Sequence, residues 1–175
     1  MNWKKAWIPA LVVAPFLILL ASRFGHDPHA LPSVLVGKAA PPFVLTKLDG
    51  TPLDSQSLRG KPAVLNFWST WCVPCKIEHE VLQEGARIYG DRVQFLGVVY
   101  QDTAEAARAY LRTVTNRYPH VVDPKGQVAI EHGVSGVPES YFVNAEGTIV
   151  HKQVGVVTPD ILHSQLGAML QGGAR

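Results

Sequence analysis

The pattern of apolar and polar residues predicts strands and helices in alternation over most of the chain. Nearly continuous apolar runs at 63–68 and 93–100 are typical of strands that are buried on both faces. Apolar residues at helical spacing predict helices over 73–89 and from Asp102 to Val114, the second with Asp102 as its N-cap. On this pattern, buried strands are followed by amphipathic helices.

Turn-forming residues divide the remaining segments. Asp49-Gly50 and Glu146-Gly147 each lie between apolar runs, and this arrangement predicts two β-hairpins. The shorter and terminal elements expected are a helical turn at 55–58, a helix at 127–131 and a last helix that begins at Pro159. The order is hairpin, strand, helix, strand, helix, hairpin, helix, which predicts an α/β domain with a partly parallel sheet.

The N-terminal segment differs from the rest in composition. Residues 6–21 carry no charge, two lysines precede them and Arg23 follows. This pattern favours an uncleaved single-pass transmembrane anchor whose N-terminus is cytoplasmic. A cleaved signal peptide and a buried core helix are the alternatives. The predicted organisation is an anchor over 1–24, a linker over 25–36 and a folded domain over 37–175.

Composition narrows the function classes. Hydrophobic residues make up 47% of the 175 residues and charged residues 17%, which argues against a disordered chain. The net charge is only +2 and the basic residues are scattered along the chain, which argues against a nucleic-acid binder. The chain has two cysteines, Cys72 and Cys75, so neither a disulfide framework nor a four-cysteine zinc site can form. We expect the pair to be chemical, and we expect no metal and no cofactor.

The two cysteines lie where a predicted strand passes into a predicted helix, in the sequence WCVPC. Cys72 is expected at the helix N-terminus, where backbone N–H groups and the helix macrodipole favour a thiolate and lower the thiol pKa. Cys75 lies one turn later on the same face and can resolve a mixed disulfide. This placement predicts a redox function, with half of a metal site as the alternative.

Two segments carry a resemblance to the thioredoxin superfamily. NFWSTWCVPC is similar to the strand and active site of that family, and GVPESYF to the place where it carries a cis-proline. The combination of WCVPCKIEHE, VVYQD and GVSGVPESYFV resembles the cytochrome c biogenesis thioredoxins of the CcmG/DsbE type over about residues 34–170. The resemblance implies a thioredoxin-like α/β fold with an N-terminal β-hairpin extension, preceded by a single transmembrane helix.

The same resemblance implies a protein-disulfide reductase, held in the bacterial inner membrane with its catalytic domain in the periplasm. Its client would be the disulfide of the haem-binding CxxCH motif of apocytochrome c. A transmembrane thiol donor of the DsbD/CcdA type would re-reduce it, and a monomer is expected. Cys72 would attack the client and Cys75 would resolve the mixed disulfide. The Val137 backbone, before a cis Pro138, would pair with an extended substrate, and Trp71 would be a partly exposed platform.

The resemblance also directs attention to two carboxylates. Asn66 stands where thioredoxin has a buried aspartate, and an amide cannot accept the proton of the buried cysteine. Glu78, one turn beyond Cys75, and Glu139, directly after Pro138, are the candidate replacements. A partly buried glutamate with a raised pKa can take and return that proton. The alternative for Glu78 is a solvated helix residue in an ion pair with a residue one turn away.

Three other functions use similar residues. A Cu(I) chaperone uses two thiolates and a distant histidine, but the spacing here is CxxC rather than CxxxC. His79 is expected on the helix surface rather than as a ligand. A thioredoxin-fold peroxidase needs a proline upstream of its cysteine, and the residues before Cys72 lack it. A general periplasmic disulfide oxidant or isomerase is the closest alternative, because direction depends on reduction potential and partners.

Overall fold

The computed structural model of the protein describes residues 13–17 and 35–172. The chain divides into two units, Met1–Pro32 and Ser33–Arg175. Residues 13–17 are helical, and neither described range contains a helix long and apolar enough to cross a membrane. The other residues of the predicted anchor, and most of the predicted linker, lie outside the described residues.

The second unit is an α/β domain built on one sheet, which has seven strands within the described residues. In chain order the strands are β1 (Val44–Lys47), β2 (Pro52–Asp54), β3 (Ala63–Trp68), β4 (Gln94–Tyr100), β5 (His120–Asp123), β6 (Glu139–Val143) and β7 (Ile149–Val154). The helices are α1 (Val73–Tyr89), α2 (Ala104–Leu111), α3 (Gln127–Glu131) and α4 (Pro159–Gly172), and a 3₁₀ turn spans Ser55–Leu58. The strand order across the sheet is β2-β1-β5-β4-β3-β6-β7.

The sheet is mixed, with β3 near its centre. β3 is parallel to β4 and antiparallel to β6, and β4 is parallel to β5. Every residue of β3 is buried, as its apolar run predicts. The two predicted hairpins, β1–β2 and β6–β7, form antiparallel pairs at the two edges. The chain leaves the carboxyl end of β3 and enters α1 at the cysteines, beside the start of β6.

Alternate residues of β3 point to opposite faces of the sheet, and this divides the core. Leu65 and Phe67 pack in a cluster on one face. Val64 packs on the other face in a second cluster, together with residues of α1 and α4. Trp68, which shares the face of Val64, packs in a third cluster with both cysteines. The cysteine pair is therefore supported directly by the core on the α1 side of the sheet.

The strand β5 is absent from the predicted order. Its four residues, HVVD, are too few and too polar at the ends to show a clear period. β5 pairs in parallel with β4 and antiparallel with β1, so it joins the N-terminal hairpin to the rest of the sheet. Pairing with two neighbours from distant parts of the chain makes this short segment a strand.

The second predicted helix has the wrong boundaries. Thr103, not Asp102, is the N-cap of α2: its hydroxyl accepts a hydrogen bond from Ala106 N at 3.1 Å. The helix ends at Leu111 rather than Val114. The Asp102 side chain accepts a hydrogen bond from Thr103 N at 2.7 Å through Oδ1, and its Oδ2 binds the loop before Cys72, as described below.

The helix α1 spans the predicted residues, but its buried face is partly different. Ile77 and Ile88, two of the apolar residues at helical spacing that predict this helix, are exposed. Glu78 and His79 are buried instead, and the prediction that His79 lies on the surface is wrong. The His79 Nε2 atom lies 2.7 Å from the carbonyl oxygen of Thr115. Burying a polar side chain costs little free energy when it has such a partner. Apolar spacing alone therefore does not identify the inner face of this helix.

Candidate active site

Cys72 and Cys75 form a disulfide at the start of α1, with an S–S distance of 2.05 Å and a Cα–Cα distance of 5.3 Å. Cys72 is the N-cap, and its sulfur accepts a hydrogen bond from the backbone N–H of Cys75 at 3.2 Å. Both side chains are buried. The N-terminal N–H groups and the helix macrodipole favour a thiolate at this position once the disulfide is opened.

Exposed apolar side chains lie before, between and after the two cysteines along the chain. Trp71 is 58% exposed, as its expected role of platform requires, and Val73 and Ile77 are exposed to a similar degree. An exposed apolar cluster of this kind is typical of a surface that contacts another protein. We call these three residues the apolar rim.

The peptide bond between Val137 and Pro138 is cis, as the resemblance implies. Pro138 directly precedes β6, in which Glu139 lies opposite Phe67 of β3. The cis-proline therefore lies at the same end of the sheet as the cysteines and the start of α1. Val137 packs against the core cluster that contains Trp68 and the cysteines.

Glu78 is fully buried, and both of its carboxylate oxygens have partners. Oε1 accepts a hydrogen bond from Asn66 Nδ2 at 2.7 Å, and Oε2 accepts one from the backbone N–H of Val157 at 2.8 Å. Burial raises the pKa of Glu78 to about 7, although both hydrogen bonds act to lower it. The alternative of a solvated helix residue is therefore wrong. A carboxyl group with a pKa near neutrality is suited to taking and returning a proton.

Asn66 connects Glu78 to the sheet. Its Nδ2 group donates to Ser140 Oγ at 3.0 Å as well as to Glu78. Asn66 and Ser140 lie directly opposite each other in β3 and β6. In this arrangement the NH₂ group of the Asn66 amide faces both Glu78 and Ser140, and its two hydrogens satisfy the two acceptors.

Glu139 is also buried, but its main partners come from β7 and from the loop that precedes the cis-proline. Oε2 forms an ion pair with Lys152 Nζ at 2.9 Å, and Oε1 accepts a hydrogen bond from the backbone N–H of Ser135 at 3.0 Å and another from the Ser135 hydroxyl. Tyr141 donates its hydroxyl to Oε2 at 3.3 Å, and Lys152 also donates to the Gly133 carbonyl at 2.7 Å. The structure thus brings Glu139 together with the 133–135 loop and β7.

Asp102 binds the loop that precedes Cys72. Its Oδ2 accepts hydrogen bonds from Thr70 N at 2.8 Å and Thr70 Oγ1 at 2.6 Å. Ser69 in the same loop donates its hydroxyl to the carbonyl of Tyr100. Gln101, which lies between Tyr100 and Asp102, has a φ of 45°. Burial acts to raise the pKa of Asp102, but the hydrogen bonds, chiefly from Thr70, outweigh it and lower the pKa.

A buried histidine supports Trp68, and it was not among the residues predicted from the sequence. Trp68 Nε1 donates to His120 Nδ1 at 3.1 Å, and His120 Nε2 lies 3.0 Å from Asn116 Oδ1. Burial and, less strongly, the charge of His79 lower the pKa of His120 to about 3, so the ring is neutral. A side chain on Gly97 would collide with this pair, since an added Cβ would lie 2.0 Å from His120 Nδ1. The only sequence signal was a glycine inside a strand.

The described residues contain no group of three His, Cys, Asp or Glu side chains placed to hold a metal ion. What the site can do chemically is exchange a dithiol for a disulfide. It has a sulfur at a helix N-terminus, a second sulfur one turn later, and a buried carboxyl group on the same helix face. This is the minimum set for attack, resolution and proton transfer.

The sequence model of the redoxin family matches residues 35–170. The chain belongs to the redoxin family. The thiol:disulfide interchange protein DsbE of Pseudomonas fluorescens biotype C is 36% identical over 172 residues, which cover 95% of both chains. The thiol:disulfide interchange protein HelX of Rhodobacter capsulatus is 33% identical over 174 residues, which cover 96% of both. This redoxin is therefore a disulfide oxidoreductase of the DsbE type.

A solved structure supports the fold of this redoxin. The crystal structure of a secreted Mycobacterium tuberculosis disulfide oxidoreductase homologous to E. coli DsbE is 30% identical. It matches with a TM-score of 0.65 and covers 72% of this chain and 95% of that chain. The prediction of a thioredoxin-like α/β fold is confirmed.

Proposed function

We propose that this redoxin reduces client disulfides in the periplasm, and that its client is the disulfide of the haem-binding CxxCH motif of apocytochrome c. The observation that carries the proposal is the Cys72–Cys75 pair at the N-terminus of α1, with Glu78 buried one turn beyond it. The motif resemblance and the relatives named as thiol:disulfide interchange proteins support the same conclusion.

In the first step the client docks on the apolar rim, and its backbone pairs with that of Val137 beside Pro138. The Cys72 thiolate attacks one sulfur of the client disulfide. A Cys72–client disulfide forms, the client S–S bond breaks, and the second client sulfur leaves as a thiolate that takes up a proton. Desolvation of the exposed rim residues favours docking.

In the second step Cys75 releases the client. Glu78 accepts the Cys75 thiol proton, and the resulting thiolate attacks the sulfur of Cys72. The Cys72–Cys75 disulfide forms and the bond from Cys72 to the client breaks, so the client leaves fully reduced. The protein dithiol has then lost two electrons, and the client disulfide has gained them.

The oxidised protein must be re-reduced before the next cycle. A transmembrane thiol donor of the DsbD/CcdA type supplies two electrons from the cytoplasm in this proposal. The uncharged segment 6–21 anchors the monomeric protein in the inner membrane, with the catalytic domain in the periplasm. The family resemblance supports both statements.

Trapping the mixed disulfide tests the mechanism. Cys75→Ala removes the resolving thiol, so we expect a stable disulfide between Cys72 and a synthetic peptide that contains an oxidised CxxCH motif. Non-reducing electrophoresis and mass spectrometry of the adduct measure it. The control is the double variant Cys72→Ala/Cys75→Ala, which should form none. Absence of an adduct in Cys75→Ala, with the protein folded, would contradict the proposal.

The reduction potential of the Cys72–Cys75 pair tests the direction of the reaction. A reductase should have a value near that of thioredoxin, roughly −270 mV, or modestly above it. Equilibration with glutathione buffers, read out by mass spectrometry after acid quenching, gives the value. A result near that of DsbA, roughly −120 mV, would mean that the protein is an oxidant instead.

A further inference from the structure

The Glu78 carboxyl group is held by three different parts of the fold. Asn66 in β3 donates to Oε1, and the backbone N–H of Val157, before α4, donates to Oε2. Ser140 in β6 accepts the second hydrogen bond of the Asn66 amide and fixes its orientation. The side chains of Glu78, Asn66 and Ser140 are all buried, at 0–3% exposure, and are therefore shielded from solvent.

The contact between Asn66 and Glu78 is chemically an amide–carboxylate pair. The amide donates and the carboxylate accepts, at 2.7 Å. A carboxyl at residue 66 and an amide at residue 78 would satisfy the same contact in reverse. The amide oxygen at 78 would accept from Val157 N, and the hydroxyl of Ser140 would donate instead of accepting.

We propose that Asn66, oriented by Ser140, is a positioning residue for proton transfer at Cys75, and that the transfer requires one carboxyl and one amide in this contact, in either order. The inference rests on the proposed function, in which Glu78 takes the Cys75 proton. Cys75 and Glu78 are three residues apart on α1, and both face the interior. The Glu78 carboxyl thus lies one helical turn from the resolving cysteine, and residue 66 is in direct contact with that carboxyl.

Other groups near Glu78 come from each element packed on it. Cys75 shares its helix, while β3 and β6 contribute the uncharged Asn66 and Ser140. Tyr118, before β5, is the nearby titratable side chain, and burial followed by the charge of Glu78 raises its pKa. Tyr118 thus stays neutral near pH 7. His79, the next residue on α1, is a second buried titratable side chain, so an inflection is assigned to the carboxyl only when Glu78→Gln removes it.

The rate at which Cys75 resolves a mixed disulfide between Cys72 and glutathione tests the inference. The adduct is prepared on the reduced protein, and its decay is followed against pH by acid quenching and mass spectrometry. We expect an inflection near pH 7 in the wild type, in addition to the cysteine titration. Glu78→Gln should lose this inflection and slow the reaction at pH 7 by about tenfold or more.

The decisive variant is the exchange Asn66→Asp/Glu78→Gln, which keeps both side-chain sizes. We expect it to regain the inflection and to react within about threefold of the wild type at pH 7. Asn66→Asp alone places two carboxyls in contact, which cannot both ionise, so its inflection should move to higher pH. A folded exchange variant that behaves like Glu78→Gln would overturn the inference.

Asn66→Ala keeps the inference testable if the exchange variant does not fold. The Asn66 hydrogen bond lowers the pKa of Glu78, so its removal should move the inflection to higher pH. An unmoved inflection would overturn the inference. These measurements use glutathione and need no protein client, so their failure is distinct from the absence of a trapped CxxCH peptide, which would overturn the proposed function.

Discussion

Glu78 illustrates how burial changes one residue. The same side chain on a solvated helix face would have a pKa near 4.5, whereas burial in this redoxin raises it to about 7. The folded protein therefore binds the Glu78 proton more tightly than the unfolded chain does. The resulting stabilisation is complete below about pH 4.5 and is lost as the pH rises through about 7.

Glu78→Gln should remove this pH dependence. In the oxidised protein, where the cysteines do not titrate, the wild-type free energy of unfolding should lose up to about 3 kcal/mol relative to the variant between pH 5 and 8. Urea denaturation at both pH values measures the difference. Equal pH slopes for wild type and variant would show that the carboxyl has an ordinary pKa in the folded state.

At the scale of elements, an ion pair joins β6 and β7 to the loop before the cis-proline. Lys152 contacts both the Glu139 carboxylate and the Gly133 carbonyl, and Glu139 contacts Ser135. Glu139 is almost completely buried and its partner nearly so. Breaking such a pair from one side leaves a buried charge without compensation.

Lys152→Met should lower the free energy of unfolding by about 3–5 kcal/mol, because the Glu139 charge is left unpaired. Chemical denaturation at pH 7 measures the loss. The matched control is Lys125→Met, which alters an exposed lysine and should change stability by less than about 0.5 kcal/mol. The double variant Lys152→Met/Glu139→Gln should recover part of the loss, and failure to do so would assign the effect to packing of the lysine stem.

Most elements could be predicted from local patterns in the sequence. The elements and boundaries that were predicted wrongly depend on contacts with distant parts of the chain. The helices α1 and α3 and the strand β3 match their predicted residues, because each has its apolar pattern and end signals within its own sequence. β5 needed β1 and β4 to become a strand. Asp102 satisfies the N-cap rule, yet Thr70 competes for its carboxylate from another loop.

At the scale of the whole molecule, two buried histidines lower the stability of the fold in acid, opposite to the effect of Glu78. His120 and His132 are both buried, and burial lowers the pKa of each. The ring of His132 contacts Phe43, Phe67 and Tyr141, which cannot stabilise a charge by ion pairing. The unfolded chain therefore binds protons that the folded protein excludes. Stability from these residues is complete above about pH 6.5 and falls as the pH drops below it.

His132→Asn should reduce this loss of stability. The Asn amide does not titrate and can still donate to the Val128 carbonyl, which lies 2.8 Å from His132 Nδ1. The variant should be less stable at pH 7, because it leaves a small cavity. Its free energy of unfolding should nevertheless fall less than that of the wild type between pH 7 and 4.5, measured by urea denaturation. A parallel fall in both proteins would contradict the prediction.

The sequence by itself determined the CxxC pair between a buried strand and an amphipathic helix, a local signal that depends on residue types within about two helical turns. The family resemblance added the cis-proline segment and the candidate acids Glu78 and Glu139. Only the tertiary structure decided which carboxyl group is available behind the cysteines. Glu78 is held by partners 12 and 79 residues away along the chain, whereas Glu139 is occupied by Lys152. Burial and pairing depend on the folded neighbours of a side chain, and local periodicity does not encode them.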